Sequence, residues 1–453
     1  MERPPYASVL GLGFGDCGKG RFIDHLARRW QARVIVRFNG GPQAGHNVVE
    51  MPEIGAPRHH TFAQFGSAMF VKDTRTVLLD PMLVDPVAFL SEASQLGRVG
   101  VDDAIPRTTI DGACRVITPY HRAAGRLREI ARGAARHGSC GAGVGETVRH
   151  SLLRPDLTLR YRDLFPIDGA RRVALLEHLA RIRADLWEDL AGESPDPEAL
   201  KCLPDAAAFH IDDLPADWIN LANSVARACP PAREDMLHDL LTEGGTVLFE
   251  GAQGILLDEW RGFHPHTTWS STGTRAVEAA IERLGIHTRV CHFGAMRVYP
   301  TRHGEGPFPT EDPSLNPFLP EPHNSGQGWQ GAFRRGHPDA VLLRYALESI
   351  GPLDGLLISH LDVFDRNVPL QWCESYEIPV AGGAPERIRR LDLSPSPDLD
   401  HQQGLARLLQ SAVPCYTCER IQSEEHFTTL LRSVSGLPIV AKSNGPADPS
   451  YGD

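Results

Sequence analysis

Apolar residues recur along the chain with two spacings. Short, nearly continuous apolar runs at 9–10, 33–38, 76–79, 246–250, 289–299, 355–359 and 437–441 predict β-strands. Between them, 21–30, 87–95, 120–136, 170–190, 216–228, 340–349 and 405–412 place apolar positions three and four apart, the period of a helix with one buried face. Strands apolar on both faces are covered on both faces. The alternation therefore predicts an α/β fold, a mainly parallel central sheet covered by helices. Pro- and Asp-rich stretches near 194–204 and 311–324 read as surface loops, and no internal repeat is visible. The chain reads as one large domain, 1–453, with helical and loop insertions at about 85–240 and 300–340.

The first strand enters a glycine-dense turn, GLGFGDCGKG at 11–20, before the first helical stretch. Strand, loop and helix in that order suit phosphate: glycines let backbone N–H groups converge, the helix N-terminus favours anions, and Lys19 adds a point charge. Two templates compete. Gly13 to Lys19 matches a P-loop, except that Gly20 stands where Ser or Thr would hold magnesium. Gly13, Gly15 and Gly18 also match a dinucleotide fingerprint, but the strand at 33–38 ends without the acidic residue a ribose needs, which leaves an NADP-type oxidoreductase weakly supported. Asp16 fits neither template. A carboxylate among phosphate-binding amides is repelled by phosphate unless it holds metal or takes a proton in the chemistry.

A second glycine-rich segment, NGGPQAGHN at 39–47, follows the next strand. His46 just after it can face the first loop, where imidazole donates to a bridging phosphate oxygen or acts as a general acid. Length and 42% apolar composition leave ample core, and a formal net charge of −11 argues against a nucleic-acid surface. No apolar run is long enough for a bilayer and no secretory signal is visible, so a cytoplasmic enzyme is expected, with the nine cysteines reduced. Cys415 and Cys418 form an isolated pair without a second one, which does not make a zinc site.

These two loops, with VLFEGAQGILLD at 247–258, TRHGEGPFPTE at 301–311, LDVFD at 361–365 and SNGP at 443–446, resemble the adenylosuccinate synthetase family, in its order and over nearly the whole chain. The resemblance implies a P-loop-like GTP-binding ligase that requires Mg²⁺. It phosphorylates the 6-oxygen of IMP with GTP and lets L-aspartate displace the phosphate, usually as a homodimer. It implies that Asp16 is the base for the purine N1 proton and a magnesium ligand, with the Gly45 carbonyl as second contact. His46 becomes the acid, and Lys19 with Gly15, Gly18, Gly20, Gly45 and Asn47 surrounds the GTP phosphates. Asp362 reads the guanine N1–H and 2-amino group, with His360, Ser443 and Gly445 completing that pocket. Gln43, Ser139, Cys140, Arg154, Gln253 and Thr268 hold the acceptor nucleotide, Arg154 by reaching into the partner subunit's site. Arg334 and Arg335 are the candidates for the amino-acid carboxylates.

Departures from the family pattern cluster on the acceptor and amine side. The family's GTTGRGIGP reads GSCGAGVGE at 138–146, which replaces an arginine by Ala142 and a phosphate-touching threonine by Cys140. The amino-acid loop, usually TTGRxRR, reads GWQGAFRRG at 328–336, with Gly331 and Phe333 opposite arginines. The usual LPSG is HTFAQFG at 60–66, Cys17 replaces a glutamate, Gln43 an asparagine, and His360 a lysine. The expectation is a divergent paralogue with IMP, or a close analogue, as acceptor. Arg154, Arg302, Arg334 and Arg335 are the candidates for phosphate and carboxylate contacts. The alternatives are the same chemistry on dGMP, on a modified purine nucleotide or with another amino acid, and a GTP-binding pseudoenzyme or sensor. A phage branch of the family that acts on dGMP replaces the loop aspartate, so Asp16 favours an IMP-like acceptor.

Overall fold

The computed structural model describes residues 3–52, 55–193, 197–321 and 329–445. The parts of the expected loops at 194–196 and 322–324, together with Gly328 and Pro446, lie outside the described residues.

A nine-stranded sheet forms the centre. In chain order its strands are β1 (Tyr6–Gly11), β2 (Ala32–Arg37), β3 (Arg75–Leu78), β4 (Thr108–Asp111), β5 (Pro231–Ala232), β6 (Thr246–Glu250), β7 (Cys291–Arg297), β8 (Gly355–Ser359) and β9 (Ile439–Lys442). The spatial order is β9-β8-β7-β1-β6-β2-β3-β4-β5, and every pairing is parallel. The apolar pattern does not predict β4 and β5: three of the four residues Thr-Thr-Ile-Asp are polar, and a two-residue strand carries no periodicity. Nor does it predict the helices Val144–Leu153, Glu234–Thr242 and Thr274–Glu282, which are short, the first and third led in by glycine, or the helix Glu424–Ser435.

The two-residue period of the strands sorts the core. Leu10, Val34, Val36, Val247, Phe249, Leu356 and Ile358 face one side, under the helix Ala340–Ile350 and the C-terminal elements. Val9, Ile35, Leu248 and Leu357 face the other, against Phe22, Ile23 and Trp30 of α1 (Lys19–Trp30). Each such fully buried side chain contributes about 1.5–3 kcal/mol. A further core, including Leu127, Leu179, Leu186 and Trp218, joins the helices of the 85–240 region.

The route of the chain decides where a ligand fits. From β1 it steps over to β2 and out to β5, returns to insert β6 between β1 and β2, and then builds β7, β8 and β9 on the far side of β1. Winding reverses around β1, so a crevice opens beyond the C-terminal ends of β1, β6 and β7.

Candidate active site

The loop between β1 and α1 is tightly determined. Gly15 has φ +97°, Gly18, which caps α1, has φ +79°, and Asp16 itself has φ +48°. A non-glycine residue in that region costs about 1–3 kcal/mol and persists only where surroundings hold it. Here Arg297, at the end of β7, donates to the Asp16 carbonyl. Gly20 has a different cause. A Cβ at that position would sit 2.6 Å from His46 Cβ, because the strand His46–Glu50 crosses the first turn of α1. A Ser or Thr has no room there, which is why the P-loop template breaks at this residue.

Lys19 is almost fully buried and donates to the Gln253 carbonyl at 2.5 Å. Gln253 takes φ +57° just after β6. His46 Nδ1–H donates to Glu250 at 2.5 Å, and Glu250 also accepts from the Ser67 backbone N–H at 2.9 Å and from the Ser67 hydroxyl. Glu250 is fully buried, which alone raises its pKa; Arg37, His46 and Ser67 outweigh this and hold it down to about 2. Burial pushes His46 down to about 4 against the pull of Glu250. The pair is therefore a neutral imidazole on a carboxylate at neutral pH.

Asp16 is partly exposed into the crevice. Its Oδ2 accepts from His303 Nε2 at 3.1 Å. Burial raises the Asp16 carboxyl, but the His303 hydrogen bond and the charges of Arg297 and Lys19 bring it down to about 2, so it is ionised.

A cavity of about 810 Å³ lies in front of these groups. Gly15, Asp16, Lys19, Gln43, Gly45, His46, Asn47, Ser139, Cys140, Gln253 and Thr268 all line it. The Gln43 carboxamide and Gln253 Oε1 are buried there without a hydrogen-bond partner among the described residues, so a ligand has polar groups to satisfy. Ser139 Oγ accepts from the Gly141 N–H at 3.2 Å, and the Thr268 N–H donates to Leu257 at 2.8 Å.

The expected guanine-reading segment lies beside the phosphate loop. A Cβ on Gly18 would meet Ser359 at 2.9 Å. The Leu361 N–H donates to the Ser443 carbonyl, and the Ser443 hydroxyl to that of Gly445. Asp362 holds an ion pair with Arg366 at 2.8 Å. His360 packs edge-on against Tyr299, and burial, then Arg297 and Arg366, push its pKa well below the ordinary range.

The four candidate arginines differ in their surroundings. Arg302 lines the cavity, but its guanidinium donates to the carbonyls of Glu305, Pro307 and His266 and stacks over Phe14. Arg334 donates to Glu311 and the Gly306 carbonyl, with Nε unpaired among the described residues. Arg335, next along the strand Phe333–Arg335 and so on the other face, donates to Leu319, Asn316 and Phe333. Arg154, at the end of the helix Val144–Leu153, pairs with Asp156 and Asp185. Arg154, Arg334 and Arg335 are not among the residues lining the cavity.

Glu250, Ser67, Arg297 and His303 were not singled out from the sequence. Glu250 had a signal, a lone carboxylate ending an otherwise apolar strand. For the others, the partner lies too far along the chain for local pattern to show it.

Among the described residues no helix is long and apolar enough to cross a membrane, and no group of three or more His, Cys, Asp or Glu could hold a metal ion. The profile of the family "Adenylosuccinate synthetase" matches residues 8–447. The chain is 33% identical over 380 residues to adenylosuccinate synthetase of Acidithiobacillus ferrooxidans, covering 82% of this chain and 80% of that one. To the enzyme of Syntrophotalea carbinolica it is 30% identical over 445 residues, covering 97% and 96%. The fold matches the fully ligated adenylosuccinate synthetase of Plasmodium falciparum with a TM-score of 0.75 at 18% identity, covering 99% of this chain and 100% of that one. It matches succinoaminodeoxyadenylate synthetase of cyanophage S-2L, bound to dGMP and dATP, with a TM-score of 0.56 at 16% identity, covering 98% and 94%. The family match and these relatives make the chain a GTP-dependent ligase that forms a C–N bond. The chain belongs to the adenylosuccinate synthetase family.

Proposed function

We propose that this enzyme transfers the γ-phosphoryl group of GTP to the 6-oxygen of IMP and couples the activated carbon to the amino group of L-aspartate, giving adenylosuccinate. The observation that carries the reading is the Asp16 carboxylate in a cavity that Lys19 and His46 also line.

Asp16 accepts the N1 proton of IMP, which leaves negative charge on the 6-oxygen and makes it the nucleophile. Lys19, the loop N–H groups and His46 stabilise the charge of the group in transfer, so positioning and electrostatics supply most of the rate. His46 starts neutral with Nδ1–H on Glu250. Phosphates entering beside it add negative charge and favour a proton on Nε2, from which it donates to the leaving oxygen. In the second half the neutral amine forms a bond to C6, phosphate leaves with the C–O electron pair, and the surplus proton on the new C–N nitrogen passes to the departing phosphate.

Mg²⁺ fits the residues present in the way it usually binds, through one carboxylate with substrate phosphates completing its shell. Asp16 and the Gly45 carbonyl, both on the cavity wall, would hold it. When bound it neutralises charge on the phosphates. Gln43, Ser139, Cys140, Gln253 and Thr268 receive the acceptor nucleotide, and Asp362, with His360, Ser443 and Gly445, reads guanine. Arg334, with its unpaired Nε, is the better placed of the two hairpin arginines for aspartate. We read the chain as one domain of a cytoplasmic homodimer in which Arg154 serves the partner's site.

The test is mass spectrometry of products from purified enzyme with magnesium and GTP. IMP, dIMP, GMP and dGMP are each offered with aspartate and, separately, with other amino acids. IMP plus aspartate minus water, with GDP formed in step, is the expected result. Product only from dGMP, or only with another amino acid, replaces the substrate; GTP binding without GDP or product replaces the enzyme by a sensor.

A further inference from the structure

His303 ends the strand Thr301–His303, which pairs antiparallel with Phe333–Arg335, His303 opposite Phe333. Its ring meets the edge of Phe333 at 4.7 Å between centroids, and its Nε2 reaches Asp16 Oδ2 at 3.1 Å. The two residues are 287 positions apart in sequence and both line the cavity. An ionised carboxylate only accepts hydrogen bonds, so Nε2 carries the proton of this contact and the ring is the donor. Among the described residues His303 is the one side chain hydrogen-bonded to the Asp16 carboxylate. The Asp16 backbone is held separately, by Arg297 on its carbonyl.

Resting on the proposed reaction, we infer that His303 is a positioning residue: its Nε2–H takes one lone pair of Asp16 Oδ2 and so fixes the Asp16 rotamer, with the remaining lone pairs of the carboxylate turned to the acceptor nucleotide and Mg²⁺. Without that bond the carboxylate turns about its side-chain torsions while the strained backbone stays in place. The hairpin on which His303 rides also holds the amino-acid side of the cavity: the Gly304 N–H donates to the Ala332 carbonyl at 2.9 Å, and Gln330 lines the wall. One hydrogen bond thus ties the amine side of the site to the base on the phosphate loop. A support of this kind is worth about 10–100-fold in rate, since a misplacement of about 1 Å costs about that much.

The test compares His303→Ala, His303→Leu and His303→Gln with the natural enzyme. Leu keeps the packing on Phe333 and removes the donor; Gln keeps an N–H of similar reach. The expected result is a kcat lower by about 10–100-fold in Ala and Leu, KM for GTP within about threefold, and recovery to within about threefold of the natural rate in Gln. Crystal structures of the magnesium-free variants supply a readout apart from turnover: the Asp16 carboxylate is rotated in Ala and Leu and in its original place in Gln. Natural rates in both Ala and Leu would overturn the inference. So would equal loss in all three with Asp16 unmoved, which would assign the effect to the imidazole itself. If the natural enzyme forms no product, the proposed reaction fails, and the rotamer comparison still decides the role of His303.

Discussion

Lys19 and Arg302 both line the cavity and both are almost fully buried, yet they are used in opposite ways. Lys19 donates to the Gln253 carbonyl and, at 3.9 Å, to Cys17 Sγ, which leaves one N–H of its ammonium for a ligand. Arg302 donates to the carbonyls of Glu305, Pro307 and His266, and burial, then Arg334, push its pKa down to about 9. Around the loop between β1 and α1 the cavity is lined by glycine-rich backbone and one lysine. The hairpin side spends Arg302 and Arg335 on holding its own loop, while Arg334 keeps its Nε unpaired among the described residues. Charge near a site and charge available to a ligand are different quantities, and only the hydrogen-bond inventory separates them.

This contrast can be broken from either side, and the largest effect is expected at the loop. Asp16→Asn should lower turnover by about 10³-fold or more while GTP binding, measured by calorimetry, stays within a few fold. Substantial remaining turnover would remove Asp16 as the base. Glu250→Gln should lower kcat by about 100-fold, since it leaves Arg37 and His46 in a buried site with a neutral partner; a companion loss of thermal stability is expected for the same reason. Asp362→Asn should cut the preference for GTP over ITP by roughly 10–100-fold, the range for a hydrogen bond to a charged group. An unchanged preference would place guanine recognition elsewhere. The smallest effect sharpens the hairpin side: Arg334→Ala should raise KM for aspartate about tenfold, and Arg335→Ala should leave it within about threefold, because Arg335 points away onto Leu319 and Asn316. Equal effects would mean the hairpin rearranges when the amino acid binds.

How much of this was legible in the sequence follows the same line. The strands at 246–250 and 355–359 match the expectation residue for residue, because a strand buried on both faces leaves a run of apolar residues with sharp ends. The turn between β1 and α1 was legible because glycine spacing is a local property. The sheet was expected to be mainly parallel; all of its nine strands are. What local pattern did not reveal was pairing across the fold. His46 and Glu250 are 204 residues apart, and Asp16 and His303 are 287 apart. Nor does a double arginine at 334–335 say that successive residues of a strand face opposite ways once the hairpin forms.

The central claim is that this cavity activates the 6-oxygen of the acceptor nucleotide. Its most direct test is the fate of that atom. Enzyme turning over IMP labelled with ¹⁸O at the 6-position, with GTP, magnesium and aspartate, should release inorganic phosphate carrying one ¹⁸O for each adenylosuccinate formed. Unlabelled phosphate, with the label found in water or kept in the nucleotide, would contradict it.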